Sequence, residues 1–95
     1  MNDLIIIGSG AAGLSAALYA GRYRLNTLLV EGAFGGETAT AGIIENYPGV
    51  PKIEGLELML SMKSQAQDIG VKFLLGWAQK IERKENSFFV CTCIG

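Results

Sequence analysis

The residues best suited to chemistry are Gly8-Ser9-Gly10-Ala11-Ala12-Gly13 and, 18 positions after the last of these glycines, Glu31. A G-x-G-x-x-G run has a function when a strand delivers it and a helix follows. Gly8 then permits the tight turn, Gly10 lets backbone approach a pyrophosphate, and Gly13 lets the helix pack close to the sheet. The free N–H groups at the helix start face the anion, aided by the helix dipole. A carboxylate at the end of the next strand accepts hydrogen bonds from both ribose hydroxyls of an adenosine and repels a 2′-phosphate. Dinucleotide binding is therefore the expectation. The chain has no histidine and only two cysteines, Cys91 and Cys93. That excludes a His-based triad, a four-ligand zinc site and a disulfide-built scaffold. No side chain is assigned as catalytic and none as a metal ligand.

The elements that must hold these residues follow from the pattern of apolar side chains. Leu4–Ile7 reads as a strand buried on both faces of a parallel sheet. A helix from Ala11 to about Arg24 carries Leu14, Ala17, Leu18 and Gly21 on one side, with Arg22 and Arg24 near the negative end of its dipole. Its small residues Ala16, Ala17 and Ala20 allow a close approach to the strands. Thr27–Val30 is the second strand and ends at Glu31, completing a βαβ unit whose crossover should be right-handed. Residues 32–52 lack a sustained period and hold five glycines, Pro48 and Pro51. A connection that long inside a small domain is usually functional. A second helix spans roughly Glu54 to Ile69, with Leu56, Met59, Leu60, Met62, Ala66 and Ile69 at helical spacing and Gly70 at its stop. Val71–Leu75 is the third strand, and Lys80–Arg83 with Ser87–Ile94 form a hairpin turning through Lys84-Glu85-Asn86.

The long connection carries a second motif, Phe34-Gly35-Gly36-Glu37 followed by Ile44-Glu45-Asn46-Tyr47-Pro48-Gly49. Here the sequence resembles the thioredoxin reductase family of flavoprotein disulfide reductases, from Leu4 through the second helix to the final hairpin. That family carries Gly-Gly-Gln, then threonines, then Glu-Asn-(Trp/Tyr)-Pro-Gly on a loop along the flavin. The resemblance implies that Gly8, Ser9, Gly10, Ala11 and Ala12 hold the FAD pyrophosphate, and that Glu31 meets the adenosine ribose with Gly32 beside it. It implies that Gly35, Gly36 and Glu37 pass the pyrophosphate and flavin, that Asn46 lies near the isoalloxazine, and that Ala78 gives a backbone contact to the adenine. The chain departs from the family in two places. Glu37 replaces a glutamine, so an amide donor becomes an acceptor. The threonine run is thinned to Thr38 and Thr40, with Ala41 and Gly42 where hydroxyls are usual.

Eight basic and nine acidic residues give a net charge of -1, with neither a basic stripe nor a basic tail for nucleic acid or an acidic membrane surface. Leu4 to Gly21 is an 18-residue stretch without charge, but it contains four glycines and lacks a basic flank. A membrane span is not expected, and the cytoplasm is the expected location. Ala, Val, Ile, Leu, Met, Phe, Trp, Cys and Gly make up 57 of the 95 residues. That exceeds the usual ~45–50%, so some apolar surface is expected to be covered by a cofactor, a partner or further chain. Cys91 and Cys93 share a strand face too far apart for a comfortable disulfide, and read as buried thiols. Phe73 and one of Phe88 and Phe89 are expected in the core, and Trp77 at the adenine pocket or on covered surface.

The fold class is thus α/β, a Rossmann-like FAD-binding half domain with a parallel sheet in the order third-second-first and an appended β-hairpin. Residues 1–95 read as the N-terminal portion of such a domain, incomplete by itself. By resemblance it belongs to a flavoprotein that passes electrons from NAD(P)H through FAD to a disulfide. The redox Cys-x-x-Cys and the NADPH-binding domain of that family are not in this sequence, so the isolated chain is expected to be inactive. The expected partners are FAD and either the remaining chain or a complementary subunit, with homodimer formation left open. The alternatives are a small stand-alone or two-chain FAD-binding module, and a NAD-binding dehydrogenase domain that would leave the Asn46 loop unexplained.

Overall fold

The computed structural model describes residues 1–93. Strand β1 (Leu4–Ser9) runs into helix α1 (Ala11–Arg22), which returns the chain to β2 (Thr27–Phe34). Helix α3 (Gly55–Asp68) then leads to β5 (Lys72–Leu75), and β1, β2 and β5 form one parallel sheet in that order. This is the expected strand order. Between β2 and α3 lie the short helix α2 (Gly36–Ala39) and a two-stranded ribbon of β3 (Ile43–Ile44) and β4 (Ile53–Glu54). The antiparallel hairpin of β6 (Trp77–Lys84) and β7 (Ser87–Cys93) follows. Among the described residues no helix is long and apolar enough to cross a membrane.

Register decides which side chains meet. Ile6, Leu29 and Phe73 stand opposite one another across the three strands, and this row meets Leu14 and Ala17 of α1 and Leu58, Met59 and Ala66 of α3. Both helices therefore cover one face of the sheet. The next row, Ile7, Val30 and Leu74, faces the other way by the two-residue period of a strand. Val30 is buried there, while Ile7 and Leu74 are exposed. Strand β1 is consequently not buried on both faces as expected. It has one strand neighbour, and Ile7 is 47% exposed.

The two main helices end in the same way, with different residues. Gly70, at φ +98, closes α3 through Val71 N–H to Ala66 O and Gly70 N–H to Gln67 O. At α1 the equivalent left-handed position belongs to Arg24, φ +61, with Leu25 N–H to Ala20 O and Arg24 N–H to Gly21 O. Both are Schellman caps, the first on the residue type that favours it. Helix α1 thus stops at Arg22, two residues short of the expected end. On α3, Leu58 joins Met59 and Ala66 in the core, whereas Leu56, Leu60 and Ile69 remain exposed.

The long connection is more regular than its sequence suggests. Strand β2 continues past Glu31 to Phe34 because a register shift pairs Ser9 with Phe34. The hairpin is longer than expected at its start and turns through Glu85-Asn86, with Lys84 opposite Ser87. The expected end of its second strand at Ile94 lies outside the described residues. Cys91 and Cys93 are exposed, correcting the expectation of buried thiols. Phe88 and Phe89 are both exposed as well, so neither joins the core. The reason is architectural: among the described residues the two strands pair only with each other, and it is β6 that packs on β2. Cations cover the rings instead, with Arg83 5.9 Å from the Phe88 centroid and Lys84 5.1 Å from that of Phe89.

Candidate functional site

The site begins where β1 gives way to α1. Gly8 adopts φ +105, a conformation side chains disfavour, and this turns the chain into the helix. A methyl group at Gly13 would collide with the Gly8 carbonyl oxygen, so only glycine lets the helix start this close to the strand. Gly10 occupies the N-cap without a side-chain hydrogen bond, and no acidic residue occupies the first turn. The first helical hydrogen bond is Leu14 N–H to Gly10 O at 3.0 Å. The N–H groups of Ala11, Ala12 and Gly13 precede it and have no helical acceptor. Ala11 and Ala12 are exposed. Three backbone donors and the positive end of a 12-residue helix dipole therefore face outward together.

Ser9 is buried, and its Oγ donates to Ala33 O at 3.4 Å, so its side chain ties β1 to β2. The second glycine run lies against the first. Gly35 N–H donates to Ser9 O at 3.0 Å, and Gly36 lies beside Gly10. Glu37 is exposed in the first turn of α2. Asn46 borders a cavity of about 250 Å³ that is also lined by Ala11, Ser15, Thr38 and Tyr47. The folded chain thus brings the glycine turn and the Asn46 loop to one opening.

Glu31 lies on β2, next to the strand that carries the glycine turn. Its side chain is 10% exposed. Lys63 of α3 donates to Oε1 at 3.0 Å, while Oε2 is buried without a hydrogen-bond partner. The Trp77 ring packs directly on Gly32, leaving no room for a side chain there. Ala78 is half-buried on β6, opposite Thr92.

Sequence reasoning missed two contributors. Lys63 falls four residues after Met59 and three before Ala66, a position on the buried stripe of α3. A lysine in that stripe was a readable signal for a buried acidic partner. Gly55 was the other, since a methyl group there would strike the Thr38 carbonyl oxygen. It lets the start of α3 press against α2, and no spacing rule marks it.

The chemistry of these parts suits a dinucleotide. Backbone donors at a helix start suit a pyrophosphate, and an unpaired buried carboxylate oxygen suits a hydroxyl donor from a ribose. The glycine turn follows the end of β1, and Glu31 stands level with Leu75, the last residue of β5, near the strand ends beyond which ligands bind in doubly wound sheets. Fold and site together define a Rossmann-like half domain with an attached hairpin.

Residues 2–92 match the family model described as pyridine nucleotide-disulphide oxidoreductase. The chain belongs to that family, and the relatives it matches are thioredoxin reductases. It is 41% identical to thioredoxin reductase of Rickettsia bellii over 91 residues, covering 94% of this chain and 29% of that protein. With the Treponema pallidum enzyme the identity is 41% over 95 residues, covering 98% and 31%. The crystal structure of the Lactococcus lactis enzyme superposes with a TM-score of 0.91 at 39% identity, covering 97% of this chain and 31% of that one. The Streptococcus pyogenes enzyme gives 0.91 at 43%, covering 97% and 30%. The chain therefore spans about 30% of the length of these relatives and corresponds to part of the FAD domain in that family.

Proposed function

We propose that this chain binds FAD through Gly8, Ser9, Gly10, Ala11, Ala12 and Gly13 at the pyrophosphate, and through Glu31 and Gly32 at the adenosine ribose. Gly35, Gly36 and Glu37 then pass the pyrophosphate and flavin, Asn46 lies near the isoalloxazine, and the backbone at Ala78 meets the adenine. The observation that carries the reading is Glu31, a buried carboxylate with Oε2 unpaired, on the strand beside an uncapped helix start. Ser9 contributes through its backbone, because its hydroxyl is engaged with Ala33. When bound, FAD would supply hydride acceptance and onward electron transfer. This chain's own residues would bind and orient it.

In a whole protein of this kind, electrons would pass from NAD(P)H to a disulfide in the cytoplasm. The nicotinamide site and the redox thiols would come from further chain or a complementary subunit. The likeness to thioredoxin reductases along nearly the full 95 residues supports this. The test is direct. The chain is purified without added cofactor, its visible spectrum is recorded, and its melting is followed with FAD or with NAD. Bound flavin, or a melting temperature raised by FAD and not by NAD, is the expected result. Stabilisation by NAD alone would overturn the reading in favour of a dehydrogenase-type site.

A further inference from the structure

We propose that Lys63 positions Glu31 for the adenosine ribose, dividing the two carboxylate oxygens between protein and ligand. The inference rests on the FAD reading above. Lys63 projects from the stripe of α3 that carries Met59 and Ala66 toward the sheet. Its ammonium meets three groups: Glu31 Oε1 at 3.0 Å, the Phe34 ring at 5.2 Å and the Phe73 ring at 5.0 Å. Each ring presents a negative face to the cation, and the carboxylate adds a charge-assisted hydrogen bond. The lysine side chain is 23% exposed, against the open surface usual for its type. A group gripped this way holds Oε1 in one place.

The other oxygen shows what the arrangement leaves undone. Oε2 is enclosed and unpartnered, an arrangement that costs stability, the more so for a charged group. An ion pair serving stability alone would satisfy that oxygen or turn it to water. Lys63 and a ribose diol would both donate to the carboxylate, and they are compatible because it has two acceptor oxygens, of which Lys63 occupies only Oε1. Lys63 keeps Oε1 while the diol donates to Oε2. Oε2 is buried, so its cover must part for the ribose, and a held Oε1 keeps the carboxylate in register meanwhile.

The test uses the full chain, with bound FAD measured by equilibrium dialysis and flavin absorbance. Lys63→Met keeps an unbranched side chain one atom shorter and removes its charge, and Lys63→Arg keeps the charge. Lys63→Met should bind FAD about tenfold more weakly than the wild type, and Lys63→Arg should restore most of the loss. In a Glu31→Ala background the same lysine change should cost nothing further, because no carboxylate remains to be positioned. Equal affinity of wild type and Lys63→Met overturns the inference alone. An equal loss in both backgrounds also does so, since it marks a merely structural lysine. If Lys63→Met does not melt cooperatively, Lys63→Gln, which keeps a donor without charge, is read by the same criteria. A wild-type chain that takes up no FAD overturns the cofactor reading and this inference together.

Discussion

Single residues separate holding the fold from holding a ligand. At Gly13 an added methyl meets the Gly8 carbonyl, which is backbone and cannot swing away. At Gly10 the nearest atoms to such a methyl lie 3.9 and 4.0 Å off, in ordinary contact, and φ is -79, which alanine adopts freely. Gly13→Ala should therefore lower stability by about 1–3 kcal/mol and abolish flavin binding with it. Gly10→Ala should melt within about 0.5 kcal/mol of the wild type yet lose FAD, because its methyl projects where the pyrophosphate must approach. Thermal melts paired with FAD titrations check both. Loss of stability in Gly10→Ala would show that this glycine serves the fold. Glu31→Gln keeps the shape of the side chain and exchanges one acceptor for a donor. It should weaken FAD about tenfold, the loss of one charge-assisted hydrogen bond, with no change in the unliganded spectrum of the protein. Undiminished FAD affinity in that variant would remove Glu31 from the site.

Elements are where sequence and structure diverge most, and the helix ends show why. Gly70 was readable as the stop of α3 because its type and place agree with the φ of +98 it adopts. Arg24 was read as part of α1, since nothing in an arginine announces φ +61. Replacing Arg24 with glycine removes a left-handed cost of about 1 kcal/mol or more. It also removes an exposed cation near the helix end, worth about 0.3 kcal/mol, and Arg22 still serves the dipole. The first effect is larger, so Arg24→Gly should raise the melting temperature by a few degrees. Gly70→Ala should lower it by a comparable amount. A destabilised Arg24→Gly would mean that its guanidinium contributes more than the cap geometry shows. The same contrast covers the rest of the fold. The βαβ unit, its glycine turn and Glu31 were legible because strand and helix periods and motif spacing agree. The exposure of β1 was not, because burial on both faces depends on layers that a strand's own residues cannot reveal. Nor was that of Phe88, Phe89, Cys91 and Cys93, for the same reason: their apolar composition reads as core, but all four are exposed on the strand that pairs only with β6 among the described residues. Of the candidate site, the glycines and the acid were visible in spacing, whereas Lys63 became meaningful only once α3 lay beside β2.

At the scale of the whole molecule, the question is what 95 residues can do with the parts they hold. The proposed cradle would position a dinucleotide, but electron transfer to a disulfide needs thiols beside the flavin. Cys91 and Cys93 are the only thiols, and β7 carries them away from that place. Trp77 pairs with Cys93, and the backbone of Cys93 approaches Gly76, whose N–H donates to Glu31 O at 2.9 Å. The thiols thus belong to the end of the cradle proposed for the adenosine, whereas the cavity with Asn46 lies at the start of α1 and α2. Residues i and i+2 on a strand also stand about 6.5–7 Å apart at Cα, at or beyond the limit of the usual disulfide span. Cys93 is further engaged, its Sγ accepting from Gln79 Nε2 at 2.9 Å. The chain supplied with FAD, NADPH and an aromatic disulfide should consequently oxidise NADPH no faster than free FAD does under the same conditions. Absorbance of NADPH over time is the measurement, with Cys91→Ser/Cys93→Ser as the control. Turnover above that background that disappears in the double variant would place a working thiol pair on the hairpin, and the proposal that the redox thiols lie elsewhere would fail. Turnover that persists in the double variant would instead show a reduction by bound flavin that needs no protein thiol. The expected flat trace fits a chain that builds the cradle and leaves the nicotinamide and disulfide chemistry to residues outside it.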